Sequence, residues 1–191
     1  KQEKTMSKGT TPKFRVSYPN VFKPRRNELN GKDEYSVVAL FKKGEDLSKL
    51  KKLVQEAAEK EFGKDPKKWP KNMRSPFRDQ AERSKVNEET GQEYLPDGYE
   101  AGAIFINLKS AHKPGVVDGQ VQPILDEAEF YPGCYAIASV NAYAYNQKGN
   151  AGVSLGLQNI QKVAEGEPFG GRSKAEDDFA AVPAEDASSL F

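Results

Sequence analysis

The stretch CYAIASVNAYAYNQKGNAGVSLGLQNIQKV, residues 134–163, constrains this chain most, because it reads as two β-strands joined at NQKGN. From Tyr135 to Tyr145, Ala136, Ala138, Val140, Ala142 and Ala144 alternate with Tyr135, Ile137, Ser139, Asn141, Tyr143 and Tyr145. Successive side chains of a strand point to opposite faces, so this strand has a small apolar face and an aromatic, amide-bearing face. Small side chains suit close packing inside a tightly curved sheet. Tyrosines flanked by Asn141, Asn146, Gln147 and Lys148 suit a surface that stacks planar groups and hydrogen-bonds them, as a nucleic-acid platform does.

Upstream, Phe14, Val16 and Tyr18 alternate with Lys13, Arg15 and Ser17, which predicts a first strand over residues 13–18. A proline-punctuated loop is expected over 19–30, carrying Lys23, Arg25 and Arg26 for phosphate contact. Asn30-Gly31 signals a turn into a second strand over 35–43. Asp46 is placed to cap a helix whose Leu47, Leu50, Leu53, Val54, Ala57, Ala58 and Phe62 recur at helical spacing until Gly63. That stripe is core. A third strand is expected over 102–109, with Ile104, Ile106 and Leu108 on one face and Phe105, Asn107 and Lys109 on the other. Its second face repeats the aromatic and polar chemistry of Tyr143 and Tyr145.

Between helix and third strand, residues 64–101 read as an irregular insertion with prolines at 66, 70, 76 and 96. Trp69, Arg74, Phe77, Arg78 and Arg83 there mix bases with aromatic rings, the combination that pairs phosphates and stacks bases. Trp69 reads equally well as a core plug. The predicted organisation is a loose segment over 1–12, a domain over 13–164, then a linker and acidic tail over 165–191. The fold class is mostly β with one main helix, closing as a β-barrel. Met6 is expected as the initiator, with residues 1–5 ahead of it.

The formal charge of +1 conceals an asymmetry, since residues 175–191 hold five acids (Glu176, Asp177, Asp178, Glu185, Asp186) and no base. Without them 29 bases face 23 acids, leaving a body of +6 that suits a polyanion. The tail is poor in bulky apolar residues and is expected to be disordered. One cysteine, Cys134, rules out an internal disulfide, and with one histidine, His112, a Cys/His zinc site cannot be assembled. No secretory segment or membrane-length apolar run is present, so a cytosolic protein is expected. Asp118, Asp126, Glu127 and Glu129 offer carboxylates for a Mg²⁺-dependent nuclease, but they lie in a turn-like stretch without a lysine or histidine motif. Binding without catalysis or cofactor is the favoured reading. RNA recognition or assembly through the same surface is the alternative.

KPGVVD, QPILDEAEFYPGCY, NAYAYNQKGNAGVSLGLQNIQKV and GEPFGGRSKAEDDFAA, in that order over roughly residues 8–180, resemble a family of tailed-phage proteins. That family includes an enterobacterial-phage single-stranded-DNA-binding protein with an OB-fold. The resemblance implies an OB-fold variant with a long irregular insertion, a role in phage replication or recombination, and action in the cytoplasm of the infected bacterial host. It implies coating of exposed single strands, and the +6 body, with bases spread over loops and strands, leads to an expectation of little sequence preference. The usual five-stranded barrel has its helix between the third and fourth strands, whereas the helix here follows the second. Either a further strand lies within 19–34, or the barrel is a variant. The expected nucleic-acid contacts are Lys13, Arg15, Lys23, Arg25, Arg26, Trp69, Arg74, Phe77, Arg78, Phe105, Asn107, Lys109, Lys113, Tyr143, Tyr145 and Lys148. The ending, acidic and finishing in Leu190 and Phe191, is similar to the tails with which bacterial and podophage single-strand-binding proteins recruit replication partners.

Overall fold

A computed structural model describes residues 7–170 and 179–182. Its strands are β1 (Ser7–Thr10), β2 (Phe14–Asn27), β3 (Lys32–Leu40), β4 (Arg78–Asp79), β5 (Lys85–Val86), β6 (Glu93–Tyr94), β7 (Ile104–Ser110), β8 (Gly115–Val117), β9 (Tyr135–Gln147) and β10 (Asn150–Ala164). The helix, α1 (Ser48–Phe62), lies between β3 and β4. Five strands close on themselves in the order β9-β2-β3-β7-β10 and back to β9, with β7 and β10 parallel and the other pairs antiparallel. This is OB-fold connectivity. No extra barrel strand lies within 19–34. The helix sits between the second and third barrel strands, so the barrel is a variant.

Alternation builds the interior as expected. Ala136, Ala138, Val140 and Ala142 of β9 are buried against Val153, Leu155 and Leu157 of β10, and Phe14 meets Phe41 edge to face. The β9–β10 turn, Lys148-Gly149, has positive φ at both positions (49° and 79°), the type I′ geometry that suits the twist of a hairpin. In α1, Leu50, Leu53, Ala57 and Ala58 join the core while the helix packs on β1, β9 and β10. The N-cap is Leu47, not Asp46, and has no side-chain cap; Asp46 one residue earlier accepts the Ser48 amide at 3.0 Å, and Gly63 (φ 89°) ends the helix. At Gly9 of β1 a Cβ would come within 3.3 Å of Leu53, so the missing side chain lets the helix approach.

Several boundaries differ from expectation. Residues 7–10 are not loose; they pair with β9 from Ala142 to Ser139. Residues 19–27 are not a loop but the continuation of β2, with register shifts between Ser17 and Asn20 and between Asn20 and Arg25. Proline cannot donate to a ladder, and Pro19 and Pro24 fall where the pairing is irregular. The second barrel strand spans Lys32–Leu40 and the third Ile104–Ser110.

The insertion has a structural task its sequence does not show. β7 and β10 meet only near Gly156 and Lys109, and residues 74–79 fill the remaining gap between them. The Arg74 amide donates to Ala151 O at 2.9 Å, Val153 donates to Arg74 O at 3.1 Å, and Arg78 and Asp79 pair with Phe105 and Ile104. Gln80, fully buried, donates to Phe41 O and Ile104 O and accepts from Glu100 N. Gly152 permits this closure, because a Cβ there would meet Arg74 O and the Tyr145 hydroxyl at 2.6 Å each.

Candidate nucleic-acid interface

An open groove of about 840 Å³ lies on the outside of the barrel, bordered by the β2–β3 hairpin and by residues 74–82. Its lining joins Arg74, Phe77 and Arg78 from the insertion, Asn107 and Lys109 from β7, and Tyr143 and Tyr145 from β9. These seven residues lie between positions 74 and 145 of the sequence, and the barrel brings them together. Residues 107 and 109 share one face of β7, and residues 143 and 145 share the outward face of β9, which is the work of strand alternation. Backbone pairing on both sides of the wedge then fixes Arg74 to Arg78 beside them. Tyr143 is 42% exposed. Tyr145 is half-buried, with its ring over Gly152.

The groove is mixed in charge. Arg78 is held by Glu82 at 2.5 Å and 2.8 Å, and Lys109 stands 3.7 Å from Glu34. Partial burial raises the Glu34 carboxyl, but hydrogen bonds from Asn27 and Asn30 at 2.9 Å each, together with Lys109, outweigh it and hold the group below its ordinary value. Glu34 therefore stays ionised at neutral pH and braces the hairpin. Arg74 has no ion pair among the described residues, so its guanidinium is the cation most free for a phosphate. Nothing in the sequence marks Glu34, Asn27 and Asn30 as groove residues, because amides and acids near a turn look like ordinary surface.

The other expected contacts are placed elsewhere. Phe105 is corrected outright. It occupies the outward face of β7 as alternation requires, but it is 0% exposed beneath Tyr99 and Phe169, with Arg78 and Arg83 over its ring at 5.3 Å and 4.9 Å. Arg15 is committed to the segments before β9 and after β10: it donates to Gly133 O at 3.1 Å and Glu167 O at 2.7 Å, and lies 4.4 Å from the Phe169 ring centroid. Lys13 stands over Tyr135 on that side. Trp69 is half-buried against the core beside α1, and its indole donates to Gly63 O at 2.7 Å, so it plugs and caps rather than lining the groove. Lys23 pairs with Glu127 at 3.6 Å and Arg26 with Asp33 at 3.9 Å, both at exposed positions. Arg25 is exposed on the hairpin and Lys148 on the β9–β10 turn, while Lys113 precedes β8 away from the groove lining. The tail residues Glu176, Asp177, Asp178, Glu185, Asp186, Leu190 and Phe191 lie outside the described residues.

The acids weighed for metal chemistry do not converge. Asp118 and Asp126 each accept backbone amides of their own turns, Gln120 and Gln122 for the first and Ala128 for the second. Among the described residues no group of three His, Cys, Asp or Glu side chains could hold a metal ion. Cys134 is fully buried, and burial pushes its thiol up, opposite to an activated nucleophile. Among the described residues no helix is long and apolar enough to cross a membrane.

The fold has counterparts among known proteins. A family model described as Enterobacter phage Enc34, ssDNA-binding protein matches residues 7–189. The single-stranded-DNA-binding protein of bacteriophage Enc34, solved in complex with ssDNA, superposes with a TM-score of 0.63 at 21% identity, over 89% of this chain and 96% of that one. The single-stranded-DNA-binding protein gp2.5 of bacteriophage T7 superposes at 0.59 with 14% identity, over 93% of this chain and 100% of that one. A putative protein p50 of Acyrthosiphon pisum secondary endosymbiont phage 1 is 26% identical over 161 residues, 82% of this chain and 83% of that protein.

Proposed function

Because the chain belongs to the family of the Enterobacter phage Enc34 ssDNA-binding protein, we propose that it coats single-stranded DNA with little sequence preference, in phage replication or recombination, and without catalysis. The observation that carries this reading is the groove itself, where Tyr143 and Tyr145 face Arg74, Arg78 and Lys109. Rings stack on bases of any identity, and the cations follow the backbone. The groove also lies between the first barrel hairpin and the last, across the third strand, where an OB-fold takes oligonucleotides. The setting this implies is the cytoplasm of an infected bacterium.

Titrating a labelled oligothymidylate across a salt series tests it. Each phosphate neutralised on a single strand contributes a slope of about −0.7 in log K against log salt. A steep negative slope is expected from the +6 body, and affinity indifferent to salt contradicts it. Competition with the matched RNA separates the RNA alternative, since an equal or better RNA competitor favours that reading.

The acidic tail acts on the same surface under this proposal. Five acids tethered beyond Gly170 stand at high effective concentration near a body of net charge +6. Deleting residues 175–191 is expected to tighten DNA binding at low salt, with the gain shrinking as salt screens both interactions. Leu190 and Phe191 supply apolar side chains, next to the acids that precede them, for a replication partner. Pull-downs from infected-cell extract with and without Phe191 test this, and identical partner sets contradict it.

A further inference from the structure

Tyr18 is the feature that the groove leaves unexplained. It is 49% exposed, and its φ of 43° lies in the left-handed region that a tyrosine adopts only at a cost. It sits where β2 slips register between Ser17 and Asn20, and such an irregularity re-aims a side chain outward. Two hollows adjoin it. One, about 300 Å³, is lined by Ser17, Tyr18, Pro96, Tyr99, Pro132 and Phe169, and Asp97 stands at its rim. The other, about 400 Å³, is lined by Tyr18 together with Asn20, Phe22, Arg25 and Glu127, whose carboxylate pairs with Lys23 and not with Arg25.

We infer that Tyr18 is a nucleobase-stacking residue, and that with Tyr99 and Phe169 it forms a second base subsite on the same strand's path; this rests on the single-stranded-DNA reading above. Three facts identify the occupant as a base. The walls are rings and proline faces, which complement a flat aromatic group. Polar groups are also in the lining: the Ser17 and Tyr99 hydroxyls bond at 2.9 Å, and Asp97 offers a carboxylate that can accept from ring N–H groups. Arg25, in the neighbouring hollow, supplies a cation for the adjoining phosphate.

The subsite is continuous with the groove. Asn20 of β2 pairs with Ser36 of β3, and Ser36 pairs with Lys109 of β7, so a single row of the sheet leads from beside Tyr18 to the groove wall. Neighbouring strands lie about 4.8 Å apart, which makes the crossing roughly 10 Å. Phe169 is set as a wall by its own fastening: its amide donates to Pro132 O at 3.0 Å, Arg15 covers its ring, and a Cβ at Gly98 would fall 2.1 Å from it. Only glycine fits at position 98.

Oligothymidylates of graded length, titrated against the full chain by fluorescence anisotropy, test this. Tyr18→Ala is expected to leave the shortest binding oligomer unaffected and to weaken the longest five- to a hundredfold, the usual range for one lost stack. Tyr18→Phe keeps the ring and is expected to retain wild-type affinity. Ultraviolet cross-linking of an oligomer carrying 5-iododeoxyuridine to the unaltered chain gives a readout independent of variant folding, and a cross-linked peptide containing Tyr18 is expected. If Tyr143→Ala loses affinity while Tyr18→Ala binds as wild type at every length, and no cross-link reaches Tyr18, the inference is overturned and the DNA-binding reading stands. If the unaltered chain binds no oligomer, both fall.

Discussion

Replacing Tyr143 or Tyr145 by alanine is expected to lower affinity for single-stranded DNA five- to a hundredfold, because base-aromatic stacking is worth about 1–3 kcal/mol per base. The two variants should differ in what else they do. Tyr143 projects into the groove and makes little of the core, so its removal should leave the melting temperature nearly unchanged. Tyr145 lies over Gly152, the point where the Arg74 wedge joins β10, so its loss also loosens the wedge. Lowered stability with unchanged affinity per folded molecule, for both variants, would show them to be packing residues. Anisotropy titration alongside thermal melting separates the outcomes.

Phe105→Ala is expected to do the reverse. Its ring is wholly enclosed by Val38, Leu40, Tyr99 and Phe169, and emptying such a site costs about 3–5 kcal/mol of stability. That loss shifts the folding equilibrium by two to three orders of magnitude or more, at about 1.4 kcal/mol per tenfold. Affinity per folded molecule should change far less, since the ring does not reach the groove. Urea unfolding measures the first quantity and titration the second. A stable variant that has lost DNA binding would return Phe105 to the interface.

Phe105 also shows where the sequence stops being informative. Alternation along β7 assigns it to the outer face, which is correct. Nothing local states that Tyr99 and Phe169, with Arg83, fold over that face and turn it into a second small core. The same limit hides the wedge. Pairings between residues 74 and 152, or 78 and 105, leave no periodicity in either segment, so residues 64–101 read as irregular. By contrast the β9–β10 hairpin and α1 are legible because each carries its whole pattern within itself: a period of two with a Lys-Gly turn, and a period of 3.6 with Asp46 and Gly63 at its ends. Of the residues that line the candidate groove, strand periodicity points to Tyr143, Tyr145, Asn107 and Lys109, and composition to Arg74, Phe77 and Arg78. Arg15 and Trp69 drew attention by type, but their partners, Phe169 and Gly63, decide their roles.

Only the first part of β2 is legible in the sequence, for a physical reason. Two prolines and two register shifts break the alternation after Tyr18, yet the ladder resumes at Arg25 opposite Glu34 and carries the hairpin out to the groove edge. A strand that tolerates such irregularity is one whose far end serves the surface more than the core.

Hydrogen exchange of the full chain, free and saturated with an oligothymidylate, tests the central assignment most directly. Bound DNA is expected to slow exchange in residues 74–79, 107–110 and 143–154, the three segments that converge on the groove. Protection confined instead to α1 and the Trp69 side of the barrel would place the nucleic acid on the wrong face and contradict the account.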